Sequence, residues 1–231
     1  MILGTNMITA TTFNSLPAHQ RTELLVGGLG GKVRRRSKPV CGVGRNDAEY
    51  PTAAYLGGVM VLCPAYQAWK NMLVRCYSKQ YQQKQPTYVR CYVSDVWLSF
   101  MQFRQWWLRH YKDGYALDKD LLLLGNVVYS PSTCLYVPQW LNNLTTDSKA
   151  ARGPLPIGVA YSARCPNNPY KAYCNDGAGR RVSLGNHPTQ EAAYTAWLEY
   201  KLSVADNRSA EIEAIRSGLT SKVKDKIRSL R

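Results

Sequence analysis

Long apolar runs are missing from this 231-residue chain. No stretch approaches the ~20 consecutive apolar residues that a membrane-spanning helix requires, so a helical membrane protein is excluded from the expectations. MILGTNMITATTFN lacks the basic start and long apolar centre of a secretory signal. C-x-x-C spacing is absent as well. The seven cysteines, Cys41, Cys63, Cys76, Cys91, Cys134, Cys165 and Cys174, are odd in number and irregularly placed. That pattern argues against a zinc ribbon and against a secreted disulfide framework, and it predicts buried thiols in a reducing, cytoplasmic setting. Histidine is scarce: His19, His110 and His187 stand far apart with no ligand spacing. Acidic residues are scarce too, 15 against 30 Lys and Arg, for a formal charge of +15. A surplus of that size points first to a polyanionic partner, with nucleic acid the obvious one.

What is present falls into four stretches. Residues 1–40 are turn-rich, and GGLGGKVRRRSK combines a glycine hinge with five cations, which predicts a flexible basic arm. From Cys63 the pattern becomes helical. In CPAYQAWKNMLVRCY the residues Tyr66, Trp69, Leu73 and Cys76 recur at three- and four-residue spacing, and Pro64 suits a first turn. SKQYQQKQPTY reads as a polar connector and YVRCYV as a short extended piece. A second helix starts near Ser94 or Asp95 and carries Phe100, Phe103, Trp107 and His110 on one side, an aromatic set suited to packing a small core. Polar residues with two prolines and a glycine in TTDSKAARGPLP predict a linker, so a boundary is placed near residue 148.

Beyond the linker, PIGVAYSAR, PYKAYCN and RRVSLGN alternate as strands do, with NDGAG as a hairpin turn. Thr189 caps a helix whose face carries Ala193, Ala196, Trp197, Tyr200 and Val204, which predicts a three-stranded antiparallel sheet packed on one helix across 149–205. The uncovered sheet face then presents Lys171, Tyr173 and Arg181, with Arg164 and Arg180 at its rim. Strands can enter the major groove, where arginine meets guanine edges and other cations meet phosphates. Residues 206–231 read as a basic amphipathic helical tail with Gly218 as a weak point.

One corner invites chemistry. In GYALDKDLLLLGN, Asp118 and Asp120 lie two residues apart, so on a strand both carboxylates share a face and Lys119 takes the other. Two carboxylates on one face can hold a hard cation such as Mg2+ or Mn2+, and a divalent cation with a base can hydrolyse a phosphodiester. The same spacing also describes an ordinary solvated strand corner.

Two resemblances give these pieces an order. IGV, PYKAY, VSLG and TQEAAYTAW, across about fifty residues, resemble the AP-two (ethylene-response-factor) DNA-binding domain. That resemblance places Tyr173 and Asn175 on the second reading strand, and Arg181 and Ser183 on the third. Ala160 stands where a base-reading arginine is usual, and Ser183 stands where a tryptophan is. AYQAWKNMLVRCYS, PTYVRCYVSDVWLSFMQFRQWW, GYALDKD and YSPSTCLYVPQWLNN resemble phage-encoded HNH endonucleases of the homing type, and GVGRND, which follows Cys41 and ends at Asp47, is similar to their lead-in. That resemblance implies an α+β chain with an HNH-like ββα-metal module over 41–148. It gives Asp118 the first acid position and puts Lys119 where the histidine base belongs. Asn126 becomes the orienting residue, with Thr133 where related sequences have asparagine. Asn142 or Asn143 closes the metal shell.

A protonated lysine clamps phosphate and does not take a proton from water, so Asp120 becomes the first choice of base. The expectation is a metal-dependent DNA endonuclease in a bacterial host cytoplasm, acting on double-stranded DNA and calling for neither a membrane nor a protein partner. A DNA-binding protein that keeps a degenerate HNH scaffold is the alternative, and an RNA-binding module ranks below both.

Overall fold

The computed structural model describes residues 8–31, 38–147 and 153–230. The fold is mixed α+β, and its contacts gather into two compact units. One comprises Met1–Asp113 with Asn126–Cys134, the other Gly114–Gly125 with Leu135–Arg231. The packing thus divides the chain differently from a single cut near residue 148. Among the described residues no helix is long and apolar enough to cross a membrane.

In the first unit, α1 (Ala10–Ser15) and α2 (Ala18–Val26) occupy part of the stretch expected to be a flexible arm. Phe13, Ala18 and Leu25 are fully buried, which gives these short helices an apolar anchor. Thr9 caps α1 by accepting from the Thr12 amide at 3.1 Å. Pro17 precedes α2 without a capping side chain, and the distant Asp113 carboxylate accepts from the Ala18 amide instead, at 3.2 and 3.3 Å. Of the basic cluster, residues 32–37 lie outside the described residues.

A hairpin of β1 (Ala53–Leu56) and β2 (Val59–Leu62) leads into α3 (Pro64–Tyr77). Pro64 begins α3, and Tyr66, Trp69, Leu73 and Cys76 are buried along it, the stripe that the sequence spacing predicts. The polar connector is itself partly helical. α4 (Lys79–Lys84) is capped by Ser78, which accepts from the Tyr81 amide at 3.3 Å. The aromatic helix is broken into α5 (Asp95–Leu98) and α6 (Phe100–His110). Ser99 makes the break: its hydroxyl accepts from the Gln102 amide and donates to Asp47 at 2.7 Å, while Asp47 also accepts from the Met101 amide at 2.9 Å. Burial pushes the Asp47 carboxyl up, but those hydrogen bonds outweigh it and hold the group below the usual carboxylate range. Trp69, Trp97, Phe100, Phe103 and Trp107 fill the core with no exposed surface. The Trp69 indole donates to the Trp97 carbonyl at 2.7 Å. β3 (Tyr92–Val93) pairs in parallel with β5 (Val128–Tyr129), and that pairing draws the 126–134 segment into this unit.

In the second unit, β4 (Tyr115–Asp118) pairs antiparallel with β6 (Leu135–Pro138), and α7 (Gln139–Thr145) follows directly. The sheet consists of β7 (Val159–Tyr161), β8 (Tyr170–Asn175) and β9 (Arg181–His187), antiparallel in that order. α8 (Gln190–Asn207), capped by Thr189 through the Ala192 amide at 3.1 Å, covers one face. Its buried stripe is Ala193, Trp197, Lys201, Val204 and Ala205, so a lysine occupies a core position. Gly158 has φ +76 and lies against the Trp197 ring so closely that a Cβ there would fall onto it. Glycine is thus required for backbone conformation and for space.

The tail is structural. α9 (Ser209–Glu213) and α10 (Leu219–Ser229) follow α8, and Gly218 makes the intervening turn with φ +77. Ile212, Leu219, Val223 and Ile227 are buried with Leu121, Leu135, Val137, Leu141 and Leu144, forming one apolar core. The expected separation of residues 206–231 from the strand-and-helix segment therefore gives way to shared packing. The Tyr194 hydroxyl donates to the Leu230 carbonyl at 2.6 Å and ties down the end of the tail.

Candidate nucleic-acid interface

The Asp118 corner differs from the expected strand. β4 ends at Asp118, so Asp118 and Asp120 are not alternate residues of one strand. Asp118 Oδ1 accepts from the Asp120 amide at 2.8 Å and the Leu121 amide at 2.7 Å, a carboxylate-capped turn that diverts the chain. Burial, reinforced by the nearby Asp120 charge, pushes the Asp118 carboxyl above its ordinary range against the opposing pull of those two amides and Lys226. Lys119 is buried and its Nζ pairs with Asp120 Oδ1 at 2.5 Å. For a divalent cation the corner offers Asp118 Oδ2 and the Asp120 carboxylate. Magnesium accepts such a pair when water and substrate phosphate complete its shell, whereas a structural zinc does not. Among the described residues no group of three His, Cys, Asp or Glu converges to hold a metal.

The other nuclease candidates do not all belong to one unit. Asn126 belongs to the first unit, where its Nδ2 donates to the Val128 carbonyl at 2.7 Å and its Oδ1 accepts from the Val128 amide at 3.2 Å. The Thr133 hydroxyl donates to the same carbonyl at 2.9 Å, so both residues close a loop. Asn143, on α7, accepts from Gln139 at 2.8 Å and faces a cavity with Asn175 and Lys201. Asn142 stands on the same helix, and its backbone carbonyl accepts from Thr145 and Thr146. Each histidine is engaged in its own unit: His110 stacks on Trp106 at 4.4 Å, His19 packs on Trp107 at 4.9 Å, and His187 meets the Leu184 carbonyl at 3.1 Å.

The sheet gathers its candidates. Cross-strand pairing sets Ala160 beside Lys171, Tyr173 beside Ser183, and Asn175 beside Arg181, so all lie on the face opposite α8. Lys171, Asn175, Arg181 and Ser183 are exposed. The Arg181 guanidinium lies 3.6 Å from the centroid of the Tyr173 ring, which fixes its direction by cation–π stacking. Arg164 is exposed in the loop between β7 and β8. Arg180, in the hairpin, pairs with Asp176 at 2.7 Å. Asn175 Oδ1 accepts from the amides of Gly177 and Gly179 at 3.0 and 3.1 Å, so its carbonyl shapes the turn and only its amide nitrogen is left to a ligand.

Comparison with protein-family models, curated proteins and solved structures returns no match for this chain.

Strand alternation alone misses one residue of this face. Lys171 pairs with Asn186 and Tyr173 with Ser183, so β9 carries one extra residue between those two partners. Gly185, with φ +95, falls in that bulge. Without it, Ser183 and Asn186 would point to opposite sides; with it, the exposed Asn186 joins Lys171 on the open face. The glycine within a strand pattern was the available signal.

Proposed function

We propose that this protein binds double-stranded DNA through the open face of its three-stranded sheet. The observation that carries the reading is the convergence of Lys171, Tyr173, Arg181, Ser183 and Asn186 on one face, opposite the helix that covers the other. Such a face combines phosphate-binding cations with donors and acceptors for base edges. Stacking on Tyr173 holds the Arg181 fork in a fixed direction, as bidentate contact with a guanine edge needs. The likeness of PYKAY and TQEAAYTAW to the AP-two domain supports the same assignment, as does the +15 charge of the chain.

A second reading, a metal-dependent endonuclease of the HNH homing type, is favoured by the β4–β6 ribbon followed by α7. That is a strand-strand-helix order with Asp118 at the end of its first strand. The proximity of Asp118 and Asp120 supports it, and the ion pair between Lys119 and Asp120 stands against it. A divalent cation bound there would supply a Lewis acid for the phosphoryl oxygen.

The two readings separate in one set of measurements. A salt-sensitive gel shift on selected duplexes is expected, and Arg181→Ala should weaken specific binding by about 1–3 kcal/mol if this side chain reads a base. Unchanged target preference in that variant removes Arg181 from readout. Supercoiled plasmid incubated with Mg2+ or Mn2+ remains intact under the binding reading. Cutting that disappears in Asp118→Asn, with DNA affinity retained, establishes the nuclease.

A further inference from the structure

α8 places a cation where its apolar stripe calls for a hydrophobe. Lys201 follows Trp197 by one helical turn and is only 7% exposed. Its Nζ lies 5.0 Å from the Trp197 ring centroid, and among the described residues it makes no hydrogen bond or ion pair. A lysine at a core position of a helix is costly and needs an account.

The space in front of it supplies one. Trp140, Asn143, Leu144, Thr146, Asn175 and Lys201, with two hairpin glycines, line a cavity of about 310 Å³ within the second unit. Both asparagine amides have their oxygens engaged, Asn143 by Gln139 and Asn175 by the Gly177 and Gly179 amides. Their NH2 ends are therefore left to donate. Thr146 gives its proton to the Asn142 carbonyl at 2.7 Å. Trp140 forms a wall, stiffened by the Arg208 guanidinium 3.5 Å from its ring centroid. Lys201 and two asparagines whose NH2 groups remain to donate thus line one cavity, an arrangement suited to a negatively charged oxygen ligand.

We propose that this cavity is an oxyanion site, taking a phosphate group with Lys201 as its counter-ion and the Asn143 and Asn175 amides as donors. The phosphate can belong to a small molecule or to a DNA backbone. Two of its three donors, Lys201 and Asn143, lie off the sheet's reading face, and only Asn175, at the end of β8, belongs to both. Burial pushes the Lys201 pKa down, against the upward pull of Cys174 and Asp147, and a bound anion would relieve that cost.

The test is calorimetric titration of the full-length protein with inorganic phosphate, with adenosine 5′-monophosphate and with a short DNA duplex. Saturable one-to-one binding is expected, weakened at least tenfold by Lys201→Met and by Asn143→Asp and unchanged by Arg181→Ala for the small phosphates. The Asn143→Asp change adds a carboxylate at an exposed helix position, so it decides the matter if the Lys201 variant fails to fold. Small phosphates that bind in this way identify a small-molecule site. If both cavity variants weaken only duplex binding, and do so additively with Arg181→Ala, the oxyanion is a backbone phosphodiester. If neither probe class binds saturably, or both cavity variants bind as the parent does, the proposal is overturned.

Discussion

Asp118 holds two backbone amides with one carboxylate oxygen, and this role is separable from any metal chemistry. An asparagine keeps an oxygen of the same shape and loses the charge, whereas an alanine leaves both amides without their partner. Asp118→Ala should therefore cost about 1–3 kcal/mol by denaturant unfolding, the penalty for unsatisfied polar groups. The Asn variant should match the parent or exceed it at neutral pH. The sign follows from burial, which raises the carboxyl above its unfolded value of 3.8. Between those two values the folded state binds the proton more tightly, so the parent loses stability as the pH rises through the window and stays lower above it. Asp118→Asn escapes that loss, so its advantage should be present at pH 7 and vanish at pH 3. Equal destabilisation by Asn and Ala at pH 7 would show that the charge itself secures the turn.

At the scale of elements, α10 turns an apparent appendage into a core helix. Its spacing was readable, because Leu219, Val223 and Ile227 recur every four residues, but its destination was not. Nothing local to the tail says that the partners are Leu121, Leu135 and Leu141, about ninety residues earlier. Ile227→Ala should cost about 2–5 kcal/mol, as truncation of a fully buried branched side chain does. A melting curve indistinguishable from that of the parent would mean that the helix is only a solvated arm. The same contrast runs through the rest of the chain. Strand alternation and the Thr189 cap made β7, β8, β9 and α8 legible, since each depends on near neighbours. Asn186 was missed because a single bulge reverses facing. The Asp118 turn was missed because a carboxylate that hydrogen-bonds its own backbone overrides strand continuation. Asn126 and Asp118 look adjacent in sequence, yet the β3–β5 pairing takes the asparagine into the other unit.

For the whole molecule, a charge of +15 attracts DNA regardless of sequence, so affinity alone does not identify the binding face. Salt dependence does, because each cation that neutralises a phosphate releases counterions and adds about −0.9 to the slope of log K against log salt. On non-specific duplex, where Arg181 has no guanine edge to read and can meet phosphate, Arg164, Lys171, Arg180 and Arg181 give an expected slope of about −3 to −4, with Arg180 contributing least while it remains paired with Asp176. Lys171→Ala should flatten the slope by about 0.9 on every duplex, specific or not, if that ammonium meets phosphate. Lys79→Ala serves as the control, since Lys79 is exposed in the first unit and should leave the slope unchanged. A slope far steeper than −4 that responds equally to both substitutions would show that diffuse charge, rather than the sheet, dominates binding. A slope near −3 to −4 that responds to Lys171 and not to Lys79 would place the phosphate contacts on the open face, beside the arginine that the Tyr173 ring holds in position.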